Sequence, residues 1–123
     1  MLSQNLCDVL FLSETKLNES FLNSSFRIPN FSNPIRSDRN CIGGGLMALI
    51  RSDLAHRHRT DIELLCKTPI ECLVLEMIVR KQKWLSICLY NPKSQYKSIY
   101  CDVLDDMLNT YMKDFHTVYV IGD

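Results

Sequence analysis

Apolar residues recur along this chain in two rhythms, one suited to strands and one to a helix. Val9-Leu-Phe-Leu12 is a short continuous apolar run. It fits a strand covered on both faces better than an edge strand, although periodicity alone would also admit a short buried helix. The run stops at Ser13, so the predicted strand delivers one carboxylate, Glu14, to its end. Residues 46–50 form a second apolar run, entered from Gly43-Gly-Gly45, a turn whose missing side chains permit positive φ and close backbone approach. Residues 70–79 and 84–90 alternate as a third and fourth strand around the basic turn Arg80-Lys-Gln-Lys83, which predicts an antiparallel hairpin. In the fourth strand Trp84, Ser86, Cys88 and Tyr90 share one face, and Leu85, Ile87 and Leu89 share the other. Asn91-Pro92 ends that ladder, because proline cannot donate to it.

The rhythm then changes. Tyr100, Val103, Leu104, Met107, Leu108 and Tyr111 recur at helical spacing, with Ser98 as the predicted N-cap and Asp102, Asp105 and Asp106 toward the positive end. Residues 117–121 form the last predicted strand, with Gly122 and Asp123 at its tip. Between the first two strands, residues 18–36 are rich in Asn, Ser and Pro, and read as a long irregular connection pinned by Phe21, Phe26, Ile28 and Phe31. Residues 51–59 place His56 and His58 among arginines and read as a solvated loop, since no third metal ligand lies at a suggestive spacing. Nothing repeats internally, and the elements read as one layered domain with no boundary inside it.

Composition narrows the class. With 46% hydrophobic and 23% charged residues in 123, the chain has the makeup of a soluble domain able to bury a core. Fourteen basic and fourteen acidic residues cancel, so no bulk positive field points to nucleic acid, although a groove on a neutral protein can be locally basic. No apolar run approaches the roughly 20 residues of a membrane span, and the first residues lack a signal-peptide pattern. These features predict an intracellular protein, in nucleus or cytoplasm, with no membrane partner. The six cysteines form no C-x-x-C pair and read as reduced, small hydrophobes.

Three predicted strand ends therefore carry Glu14, Tyr90 and Asp123. A single strand-end carboxylate is commonly a solvated terminus, an isolated tyrosine a rim residue, and a Gly-Asp pair an ordinary turn. Their order, with the glycine turn between the first two, adds information that each lacks alone. The chain resembles the endonuclease/exonuclease/phosphatase superfamily, most closely the apurinic-endonuclease-like domain of non-LTR retrotransposons. The resemblance rests on Leu12-Ser-Glu-Thr-Lys-Leu17, Asp38-Arg-Asn-Cys-Ile-Gly-Gly-Gly-Leu46, Ile70-Glu-Cys-Leu73, Leu89-Tyr-Asn-Pro92 and Val120-Ile-Gly-Asp123.

That resemblance implies an α/β fold: a fragment of a four-layered α/β sandwich, mostly antiparallel sheet with a flanking helix. It also implies hydrolysis of phosphate esters with Mg²⁺, and DNA as the partner of the intact domain. Glu14 matches the family's metal-ligating glutamate, a hard oxygen ligand suited to Mg²⁺. Tyr90 matches a tyrosine that positions the scissile phosphate, and Asp123 an aspartate that orients or activates the attacking water. The family's first strand would lie before Met1, and its remaining acid/base residues beyond Asp123. On that comparison the fragment is expected to have little or no activity, since members of a concerted site act as a unit. Two alternatives stay open: a non-catalytic interaction module whose uncovered strand faces self-associate, and a phosphomonoesterase of the same superfamily.

Overall fold

The computed structural model describes residues 8–39, 43–92 and 96–122, and its contacts divide the chain into two compact units, Met1–Ala55 and His56–Asp123. Each unit is built on its own sheet. The fold is α/β, with two mostly antiparallel sheets and a flanking helix. Among the described residues, no helix is long and apolar enough to cross a membrane.

In the first unit, β1 (Val9–Ser13), β2 (Ile35–Ser37) and β3 (Leu46–Ile50) form an antiparallel sheet in the order β1-β3-β2. All five residues of β3 are buried. The double cover expected for the first strand therefore belongs to β3. Among the described residues β1 pairs only with β3, and Leu12 is 40% exposed. An apolar run reports that a strand can be buried, whereas the number of neighbours is decided by strands elsewhere. Leu17, Phe31, Met47 and Leu49 form this unit's small core, with Leu10, Phe26 and Ile28 packed against it.

In the second unit, β4 (His56–His58), β5 (Glu71–Val79), β6 (Gln82–Tyr90) and β7 (Thr117–Gly122) follow that spatial order. β5 and β6 form the expected antiparallel hairpin, with Val79 opposite Gln82. The turn is thus only Arg80-Lys81, shorter than the basic segment predicted. Both residues have positive φ, 52° and 66°, as a two-residue type I′ connection requires. α1 (Thr60–Glu63) follows β4, and α2 (Lys97–Tyr111) connects β6 to the parallel strand β7, the kind of crossover parallel pairing demands.

One face of this sheet is closed by α2. Val103 and Met107, one helical turn apart, are fully buried with Ile62, Val74, Leu85 and Ile87. Each such side chain contributes about 1.5–3 kcal/mol relative to exposure. Leu85, Ile87 and Leu89 share the core side as the alternation predicts. Ser98 is not the N-cap. The helix begins at Lys97 after Tyr96, and this earlier start lets Tyr96, Ile99 and Tyr100 pack on the core.

The solvated loop expected over residues 51–59 is instead partly ordered strand. His56, Arg57 and His58 pair with Met77, Glu76 and Leu75 of β5. Polar side chains hold this segment by bonding one another. His58 Nε2 lies 2.5 Å from Glu63 Oε2, which also accepts the Val74 N–H at 2.9 Å. Arg59 Nη1 donates to Glu76 at 2.7 Å, while its remaining donors reach both carboxylate oxygens of Asp61.

Candidate active site

Glu14 follows the last residue of β1, where Ser13 pairs with Leu46 at the start of β3. Its φ is +56°, and so is that of Lys16. A non-glycine residue in this left-handed region costs roughly 1–2 kcal/mol, so two within three residues require outside support. The glycine turn supplies it. Thr15 N–H donates to Gly45 O at 3.3 Å and Lys16 N–H to Gly44 O at 2.9 Å. Gly44 and Gly45 are themselves left-handed, at φ 73° and 96°, and a Cβ on Gly45 would collide with Thr15 Oγ1. The glycines thus allow the backbone approach that holds Glu14 in its unusual conformation.

The Glu14 side chain is exposed, at the rim of a cavity of about 550 Å³ with Leu12, Phe26, Met47 and Leu49 in its lining. Thr15 Oγ1 beside it is buried with no hydrogen-bond partner. The connection over residues 18–36 is pinned as predicted by Phe26, Ile28 and Phe31, which pack in this unit's core. Phe31 is buried and Phe26 half-buried, but Phe21 is 44% exposed. Much of the pinning comes from Arg36 on β2, which sequence reasoning passed over. Its guanidinium donates to Asn18 O at 2.8 Å, to Phe21 O, and to Asn23 Oδ1 at 3.1 Å. Arg36 also bonds both oxygens of Asp38 and lies over the Phe26 ring. The available signal was Arg36-Ser-Asp38, whose first and third side chains share one side of an extended chain.

Tyr90 belongs to the second unit, half-buried at the end of β6. Its neighbour Leu89 pairs in parallel with Gly122 of β7. Gly122 passes directly beneath the Tyr100 hydroxyl, where a Cβ would clash. Asp123, which follows Gly122 in the chain, lies outside the described residues.

Among the described residues, no group of three or more His, Cys, Asp or Glu side chains could hold a metal ion. Magnesium does not need such a cage, since one or two carboxylates plus water and substrate phosphate complete its octahedron. An exposed carboxylate on a preorganised turn meets that minimum, and Glu14 is the residue that would hold the ion. Neither a family model nor a curated protein matches the chain.

Proposed function

We propose that this chain carries part of a Mg²⁺-dependent phosphodiester-hydrolysing site, similar to that of the endonuclease/exonuclease/phosphatase superfamily and its retrotransposon endonucleases. DNA is the substrate of the intact domain. The observation that carries this reading is Glu14, an exposed carboxylate kept in left-handed backbone by two glycines. Backbone strain of this kind persists where surrounding structure over-determines it, and it clusters at active sites.

When bound, the cation supplies charge neutralisation at phosphorus. By the resemblance, Glu14 would hold the cation, Tyr90 would help position the scissile phosphate, and Asp123 would help orient or activate the attacking water. These residues do not complete the donor set that in-line hydrolysis needs. The chain by itself is therefore expected to nick little or no supercoiled plasmid in Mg²⁺. Glu14-dependent nicking by the purified chain would overturn that inactivity.

The metal role has its own test. Glu14→Gly removes the carboxylate and relieves the left-handed backbone, so it should raise stability by about 1 kcal/mol. It should also abolish the broadening that Mn²⁺ causes at amides 13–16 in NMR spectra of the native chain. Absence of broadening in the native chain would remove Glu14 as a ligand.

A second reading, self-association without catalysis, is favoured by β7. Tyr119, Val120 and Ile121 are 48%, 42% and 40% exposed, and among the described residues β7 pairs only with β6. An uncharged apolar strand with an open edge invites pairing with another chain. Size-exclusion chromatography tests it: a clean monomer with cooperative unfolding would count against it.

A further inference from the structure

The cavity beside Glu14 combines an apolar interior with a polar opening. β3 contributes Met47 and Leu49 to it, β1 contributes Leu12, and the irregular connection contributes Phe26 and Ile28. Met47 and Leu49 belong to this unit's core, and Leu12 is 40% exposed. Arg36 holds the connection through Asn18 O and Phe21 O, so that wall is in place before a ligand arrives. At about 550 Å³ the space falls within the size range of small-molecule sites, which are mostly apolar with a few polar groups that orient the ligand.

The polar groups are Ser13, Glu14, Ser25 and Arg27, all exposed residues of the same lining. Arg36, Arg51 and Arg59 each hold a carboxylate, whereas among the described residues Arg27 pairs with none. Its guanidinium is left to an anion from solvent, for which the planar donor fork suits phosphate. Glu14 belongs both to this lining and to the magnesium position proposed above. Whatever occupies the cavity therefore adjoins the phosphate that the ion would grip. In a phosphodiester substrate, the group joined to that phosphate is a nucleoside. A nucleobase has apolar faces to stack on Phe26 and against aliphatic side chains, and polar edges to meet the Ser13 and Ser25 hydroxyls. An acyl chain would fill the interior and leave those hydroxyls unused.

We propose that this cavity is a nucleoside subsite, which takes one unstacked nucleoside of the substrate strand while Arg27 contacts its phosphate. The inference rests on the metal reading of Glu14 and adds the substrate group that lies beside the metal.

The full chain, with its methionine methyls labelled for NMR, would be titrated with deoxyadenosine monophosphate in Mg²⁺. The expected result is a ring-current shift of the Met47 methyl, with base-to-methyl contacts, while the buried Met77 of the other unit stays unmoved. Deoxyribose 5-phosphate, which has no base, should leave Met47 in place. Leu12→Trp fills the cavity from an exposed position and should weaken the nucleotide by about tenfold. Arg27→Gln should weaken it by about threefold, as for an exposed charge contact. Two arms separate this inference from the metal reading. Mn²⁺ broadening at amides 13–16 with no nucleotide shift at Met47 would overturn the subsite and leave the metal. A Met47 shift that needs no Mg²⁺ and survives Glu14→Gly would uphold the subsite and remove the metal. Decanoate moving Met47 as strongly as the nucleotide would overturn the nucleoside assignment, and so would a nucleotide affinity unchanged by Leu12→Trp in a variant that unfolds like the native chain.

Discussion

Two arginines, one in each unit, begin from the same local device and end in different roles. Arg36 bonds Asp38, Arg59 bonds Asp61, and each guanidinium grips both oxygens of the carboxylate two residues ahead. Each also lies against aromatic rings, Phe26 for Arg36 and both Tyr111 and Phe115 for Arg59. The difference is where the remaining donors go. Those of Arg36 reach Asn18 O, Phe21 O and the Asn23 side chain, in the connection that leaves the Glu14 turn. The remaining donor of Arg59 reaches Glu76, a buried carboxylate in the middle of β5. Neutral carbonyls can be returned to water at modest cost, whereas a buried charge cannot. Arg36 therefore orders the surroundings of the candidate site, and Arg59 holds the scaffold.

Removing each arginine in turn separates the two roles. Arg59→Ala leaves Glu76 charged, unpaired and only 11% exposed, which should cost about 3 kcal/mol in denaturant unfolding. Adding Glu76→Leu should recover most of that loss, since an apolar residue suits the site once the ion pair is gone. A single-variant loss below about 1 kcal/mol would put Glu76 in contact with water and dissolve the contrast with Arg36.

Arg36→Ala is expected to cost less, about 2 kcal/mol, because its partners are chiefly backbone carbonyls and a partly exposed aspartate. The effect should also be local. Hydrogen exchange should accelerate over residues 14–26, while amides of β5 and β6 keep their protection. Equal acceleration throughout the chain would make Arg36 a scaffold residue like Arg59.

These clamps also mark what the sequence concealed. The β5–β6 hairpin was legible because two strand-like stretches flank a basic turn, and β3 and β7 because their apolar runs are bounded by turns. β4 and α1 were not, since ion pairs fix them and ion pairs leave no periodic trace. The exposed position of β1 was hidden because a strand's own residues do not encode how many neighbours it has. At the site, Glu14 was legible as a strand-end carboxylate, and the glycine turn as one permitting close approach. The left-handed backbone of Glu14 was invisible, because the turn it sits in is fixed by bonds from Thr15 and Lys16 to Gly45 and Gly44 some thirty residues away in sequence. Tyr90 was placed correctly at the end of β6 by counting alternate faces.

The smallest expected effect separates the two bonds of the Arg59 clamp. Hydrogen bonding from Arg59 lowers the Asp61 pKa from 3.8 to about 2, against the opposing effect of burial. Because the folded value lies below the unfolded one, the stabilisation is present above about pH 4 and is lost as pH falls toward 2. Asp61 is 47% exposed, so solvent screens the interaction and its loss should be minor beside that of Arg59→Ala. Carboxyl NMR of the native chain should show Asp61 titrating near 2, and Asp61→Asn should flatten the acid limb of the stability profile. A midpoint at the ordinary aspartate value would detach Asp61 from the clamp. Arg59 would then act through Glu76 and the two rings, making the local Arg-x-Asp spacing incidental in this unit while still structural around Arg36.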